Sequence, residues 1–145
     1  MSRSARTGTI LMATGLAAAL LASCGAGEFE QAVLEQAAQQ EGPFSLPAQG
    51  TPVEQWDRVV IVCPYMYVPE EFDPDFAKAI TNTDEFLDDS SQWLIFAQAD
   101  QPGMLRLPRD TVDFCSDGLS TDPMESGQLW TATAADGRWM LTPVG

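Results

Sequence analysis

Trp56-Asp57-Arg58-Val59-Val60-Ile61-Val62-Cys63, followed at once by Pro64, is the stretch on which the fold turns. Val59, Val60, Ile61 and Val62 are β-branched, a composition that favours extended backbone over helix. The apolar residues run unbroken from Val59 to Cys63 instead of alternating with polar ones. Such a run predicts a strand buried on both faces. Pro64 closes it, because proline has no N–H to give to a ladder.

Downstream of this strand the pattern is mostly extended. Leu129 to Ala135 and Arg138 to Thr142 flank Asp136-Gly137, the pair that a type I′ hairpin requires. Closure by two residues sets Ala134 opposite Trp139, Ala132 opposite Leu141 and Trp130 opposite Pro143. Thr131 and Thr133 then meet Thr142 and Met140. Trp93-Leu94-Ile95-Phe96-Ala97 reads as another strand, leading into Gln101-Pro102-Gly103, with proline and glycine placed for a type II turn. Met104 to Leu107 returns from it, and Thr111 to Cys115 is a weaker strand ended by Asp117-Gly118.

Helical signals lie on either side of the central strand. In Glu28 to Gln40, Phe29, Val33 and Ala37 recur every four residues, and Gly42-Pro43 supplies the stop. Phe44 to Pro52 reads as a loop. Pro69 to Ser90 is acidic and helical in tendency. Within it, Asp73 before Pro74 makes an N-cap with proline at the first helical position. The expected fold is α+β, an antiparallel sheet of about five strands with one or two helical segments packed on one face.

The N-terminus carries an address. Arg3 and Arg6 precede an uncharged stretch that lasts until Glu28 and is apolar from Ile10 to Leu21. A basic start, a short apolar run and small residues at its end make a secretory signal. The run is too short and too rich in Ala, Gly and Thr for a spanning helix, which takes roughly 20 apolar residues. It ends at Leu21-Ala22-Ser23-Cys24, which resembles the lipobox of bacterial lipoproteins at all four positions. That resemblance implies cleavage between Ser23 and Cys24 and lipid joined to the Cys24 thiol. Each buried methylene of such a lipid contributes about 0.8 kcal/mol, so two chains hold stably where one binds reversibly. The expected organisation is a signal peptide over 1–23, a lipid-anchored leash over 24–27 and a single small domain over 28–145. The expected location is the cell membrane or envelope, outside the cytoplasm. The segment from Trp56-Asp57 to Pro64-Tyr65 also resembles one found in small, uncharacterised exported bacterial proteins, where a Trp-Asp-led strand closes on Pro-Tyr. That likeness implies no activity, and Cys63 is not part of its pattern.

Removal of residues 1–23 takes away two of the seven basic residues and none of the 21 acidic ones, leaving 122 residues with a formal charge of −16. A surface so negative repels phosphate backbones and anionic lipid alike, which argues against nucleic acid as a partner. Beyond Cys24, two cysteines remain, Cys63 and Cys115. An even pair in an exported chain predicts a disulfide. Its loop of about 50 residues corresponds to roughly 4 kcal/mol in the chain-entropy model. Two buried free thiols are the alternative.

Catalytic chemistry is constrained by what is missing. The chain has no histidine, which removes Ser-His-Asp and Cys-His catalysis and histidine-ligated zinc. Lys78 is the only lysine and has Asp75 three residues before it, so Ser-x-x-Lys is absent as well. No phosphate-binding or dinucleotide-binding glycine loop occurs. The acids Glu70, Glu71, Asp73, Asp75, Asp84, Glu85, Asp88 and Asp89 lack the spacing of a calcium loop and read as a solvated face. No metal and no cofactor is expected. Tyr65-Met66-Tyr67, on the loop after the central strand, is the candidate contact surface, since Tyr and Met are enriched at interfaces. Packing at the edge of the sheet is the alternative for these three residues. The functional expectation is a membrane-anchored binding or scaffolding module with an unidentified protein partner. An exported hydrolase using paired carboxylates, and an inhibitor or immunity-type protein with an acidic binding face, are the alternatives.

Overall fold

The computed structural model describes residues 25–39, 41–66, 72–117 and 121–145. In chain order these form α1 (Gly25–Gln39), β1 (Phe44–Ser45), β2 (Arg58–Val62), α2 (Pro74–Ala77) and a 3-10 helix (Thr83–Leu87). There follow β3 (Ser91–Gln98), β4 (Gln101–Pro108), β5 (Val112–Asp113), β6 (Met124–Glu125), β7 (Leu129–Ala135) and β8 (Arg138–Pro143). The class is α+β. The strands form two four-stranded sheets, ordered β4-β3-β2-β6 and β1-β7-β8-β5, where the sequence suggests one sheet of about five.

β2 and β3 are the inner strands of the first sheet, paired antiparallel from Arg58 opposite Ala97 to Val62 opposite Trp93. Because side chains alternate across a strand, the unbroken apolar run of β2 feeds two cores. Val59, Ile61 and Cys63 join Leu94, Phe96, Leu105 and Leu107 in one core, with Phe29 and Val33 of α1 and Trp130 and Leu141 of the second sheet. Val60 and Val62 join Trp93 and Ile95 in the other, closed by Phe72, Phe76 and Phe86. The first sheet is therefore a middle layer. α1 and the second sheet cover one face, and α2 and the 3-10 helix cover the other, so helical segments lie on both faces and not on one.

Aromatic rings lock these layers. Phe29 and Trp56 each meet Phe96 edge-on, with ring centres 5.5 and 4.9 Å apart. Phe86 meets Trp93 at 4.9 Å on the opposite side. Burying a side chain of this size stabilises by about 1.5–3 kcal/mol. The α1 stripe of Phe29, Val33 and Ala37 is buried as its spacing indicates.

The β7–β8 hairpin takes the register expected from its turn, with Ala134 opposite Trp139, Ala132 opposite Leu141 and Trp130 opposite Pro143. Asp136 (φ 53°) and Gly137 (φ 78°) both adopt the left-handed conformation that this turn demands. β5 joins β8 in parallel, Val112 opposite Trp139, and is shorter than the Thr111-to-Cys115 strand expected. β1 pairs with β7 through Phe44 and Trp130, so the loop expected from Phe44 contains a two-residue strand.

Two local expectations give way to tertiary structure. Gln101-Pro102-Gly103 is not a turn: all three lie in β4, and the chain reverses at Ala99-Asp100, where Ala99 has φ 51°. Remote side chains hold that turn. Arg58 donates to the Ala99 carbonyl at 2.9 Å, and Lys78 donates to that of Asp100 at 3.2 Å. β4 is an edge strand, which tolerates Pro102 and Pro108. Gly103 lets Pro52 and Val53 pack closely over β4, since a Cβ there would lie 3.0 Å from their side chains. Gly25-Ala26-Gly27, expected as a loose leash, is the first turn of α1.

Candidate functional site

The loop after β2 is fixed by covalent and backbone bonds. Cys63 is joined to Cys115 in a disulfide with the two Cα atoms 5.6 Å apart, tying the end of β2 to the segment after β5. Two residues on, the Tyr65 N–H donates to the carbonyl of Phe86 at 2.8 Å, and the Met66 N–H donates to that of Cys63 at 3.1 Å. Tyr65 has φ 59°, a conformation disfavoured for a bulky side chain. It is also 66% exposed.

The candidate surface is thus divided. Tyr65 points to solvent. Met66 is half-buried and packs against both cores, so much of its side chain is used in the interior. Tyr67 lies outside the described residues, as does the Leu21-Ala22-Ser23-Cys24 segment. The structure adds Leu87, which follows Phe86 and is 58% exposed. The sequence held a signal for it: Phe86-Leu87 is an adjacent apolar pair in a polar segment, and when Phe86 faces the core its neighbour on a 3-10 turn faces out.

Charge is distributed just as unevenly. All five basic residues that follow Cys24 are in ion pairs. Arg58 meets Asp73 at 3.0 Å and Asp75 at 3.2 Å, and Lys78 meets Asp75 at 3.5 Å. Arg106 pairs with Asp88 and also lies over the Trp93 ring. Hydrogen bonds from the Ser90 and Ser91 hydroxyls, with that arginine, hold the Asp88 carboxyl far below the usual carboxylate range. With every cation engaged, the remaining acids dominate the surface.

Arg109 and Arg138 both go to Asp113, which is fully buried. Arg109 grips it through Nε at 3.1 Å and Nη2 at 3.0 Å, the Cys115 N–H donates at 2.7 Å and the Ser116 hydroxyl at 3.0 Å. Burial pushes this carboxyl up, but the Arg109, Cys115 and Ser116 bonds outweigh it, and the net shift is downward. A carboxylate so shielded and so fully bonded has no free lone pair to offer a substrate. Asp113 is a structural anchor for the chain around the disulfide.

Among the described residues, no three His, Cys, Asp or Glu side chains converge to hold a metal ion. Nor is any described helix long and apolar enough to cross a membrane. A cavity of about 310 Å³ lies between the end of α1, Phe44 and β7, lined by Gln36, Ala37, Gly42, Thr131, Ala132, Thr133 and Ala134. Its volume is at the lower end for small-molecule sites. None of its lining residues is ionisable, so it offers no acid or base. Comparison with family models, with curated proteins and with solved structures finds no match to this chain.

Proposed function

We propose that this protein is an exported lipoprotein, cleaved before Cys24 and held at the cell envelope by lipid on that cysteine. Its domain acts as a binding or scaffolding module that contacts a protein partner through the Tyr65 turn. The observation that carries the contact is Tyr65 itself: a large aromatic residue, 66% exposed, kept in a left-handed conformation. Such a conformation costs about 1–3 kcal/mol and tends to persist where function uses it. The disulfide at Cys63 and the bond to Phe86 make the turn rigid, so its residues lose little freedom on binding.

The test places a photo-crosslinking amino acid at Thr83, an exposed residue of the 3-10 helix that holds the turn, and follows adducts in native membranes. Tyr65→Ala should abolish the adduct with the thermal midpoint nearly unchanged. An adduct that survives Tyr65→Ala would remove Tyr65 from the contact.

A further inference from the structure

The reading of Tyr65 as a contact residue leaves open what it contacts; resting on that reading, we infer that Tyr65 and Leu87 dock a cationic, partly apolar segment of a protein partner. Tyr65 and Leu87 are two of the exposed large apolar side chains of the domain, and the bond from the Tyr65 N–H to Phe86 brings their backbones together. Beneath them Phe86 is buried against Trp93, so the platform is anchored in the core.

The charge around this platform selects the partner. Asp84 is exposed, Glu85 is half-buried, and among the described residues neither has an ion-pair partner. Oε1 of Glu85 is withdrawn from solvent and accepts no hydrogen bond. Every basic residue after Cys24 is already in an ion pair, so the domain has no free cation to neutralise these acids from within. A lysine- or arginine-bearing segment supplies donors for Asp84 and Glu85, a cation for the Tyr65 ring and an apolar side chain for Leu87. Anionic lipid and nucleic acid are repelled by the same charge.

The experiment titrates the full chain, purified in non-ionic detergent, with a synthetic peptide of alternating leucine and lysine, followed by calorimetry. Leucine–glutamate and serine–lysine peptides of equal length are the controls. The leucine–lysine peptide should bind best and weaken as salt rises. Leu87→Ser and the pair Asp84→Asn, Glu85→Gln should each lower its affinity about tenfold. The pair Glu28→Gln, Glu35→Gln makes the same charge change on the exposed face of α1 and should leave affinity within about twofold. Absence of binding, equal binding of the leucine–glutamate peptide, or equal losses from the two double variants would overturn the proposal. Adducts that need Tyr65 but form independently of salt and of Asp84 and Glu85 would overturn only the cationic partner. Adducts that do not need Tyr65 would overturn the underlying reading.

Discussion

Gln92 and Phe114 are joined through the core: the Gln92 Oε1 accepts the Phe114 N–H at 2.8 Å. The Gln92 amide nitrogen donates in turn to the carbonyls of Val112 at 2.7 Å and Pro108 at 3.2 Å. One fully buried side chain of the first sheet thereby serves the backbone that crosses to the second. Gln92→Leu keeps the volume and strands the Phe114 N–H and the Val112 carbonyl, each costing about 1–3 kcal/mol when buried unmet. A loss of about 2–4 kcal/mol in urea unfolding is expected, and a loss under about 0.5 kcal/mol would mean that water replaces the amide.

The disulfide should be complete and stabilising. A soluble form starting after Cys24 should show no titratable thiol when denatured without reductant. Reduction should lower its stability by up to roughly 4 kcal/mol, less if the unfolded chain keeps structure. Two thiols in the unreduced, denatured protein would contradict the bond.

Asp113 gives a pH signature. Its folded-state value lies below the ordinary carboxylate value of 3.8, so its contribution is present above that value and fades as pH falls through the lower folded one. Asp113→Asn leaves Arg109 and Arg138 facing a neutral group and should cost about 3–5 kcal/mol at neutral pH. The gap between wild type and variant should close on acidification below about pH 4. A gap constant with pH would show that packing, not charge, is what Asp113 supplies.

Tyr65→Gly separates strain from contact. Glycine accepts φ 59° without penalty, so this variant should be as stable as wild type or up to about 1 kcal/mol more stable, while losing the crosslink. Lower stability by several kcal/mol would place the ring in the core.

Cys24→Ala tests the anchor. Intact-mass analysis of membranes should find unprocessed precursor and no lipid adduct. A variant that is processed and retained normally would count against lipidation at this cysteine.

Legibility in the sequence followed locality. The β7–β8 hairpin was readable because its register is set by Asp136-Gly137, inside the segment itself. The two buried faces of β2 were readable from five apolar residues in a row. The Ala99-Asp100 turn was not, because Arg58 and Lys78 hold it from outside, overriding the local appeal of Pro102-Gly103. β1 and β6 are two residues each and exist only through partners far along the chain. Of the three candidate residues, Tyr65 is exposed as a contact residue must be, and Met66 is half-buried against both cores. An apolar residue next to a strand end does not declare which way the following turn sends it.

Gly25, next in sequence to Cys24, lies in α1 and is seated against a loop: a Cβ on it would lie 2.7 Å from the carbonyl oxygen of Gly50. In the proposed lipidated form the protein would therefore have no slack line to swing on. The anchoring residue would be one peptide bond from packed backbone. The protein's reach would be the height of the domain, and a partner would have to come to it.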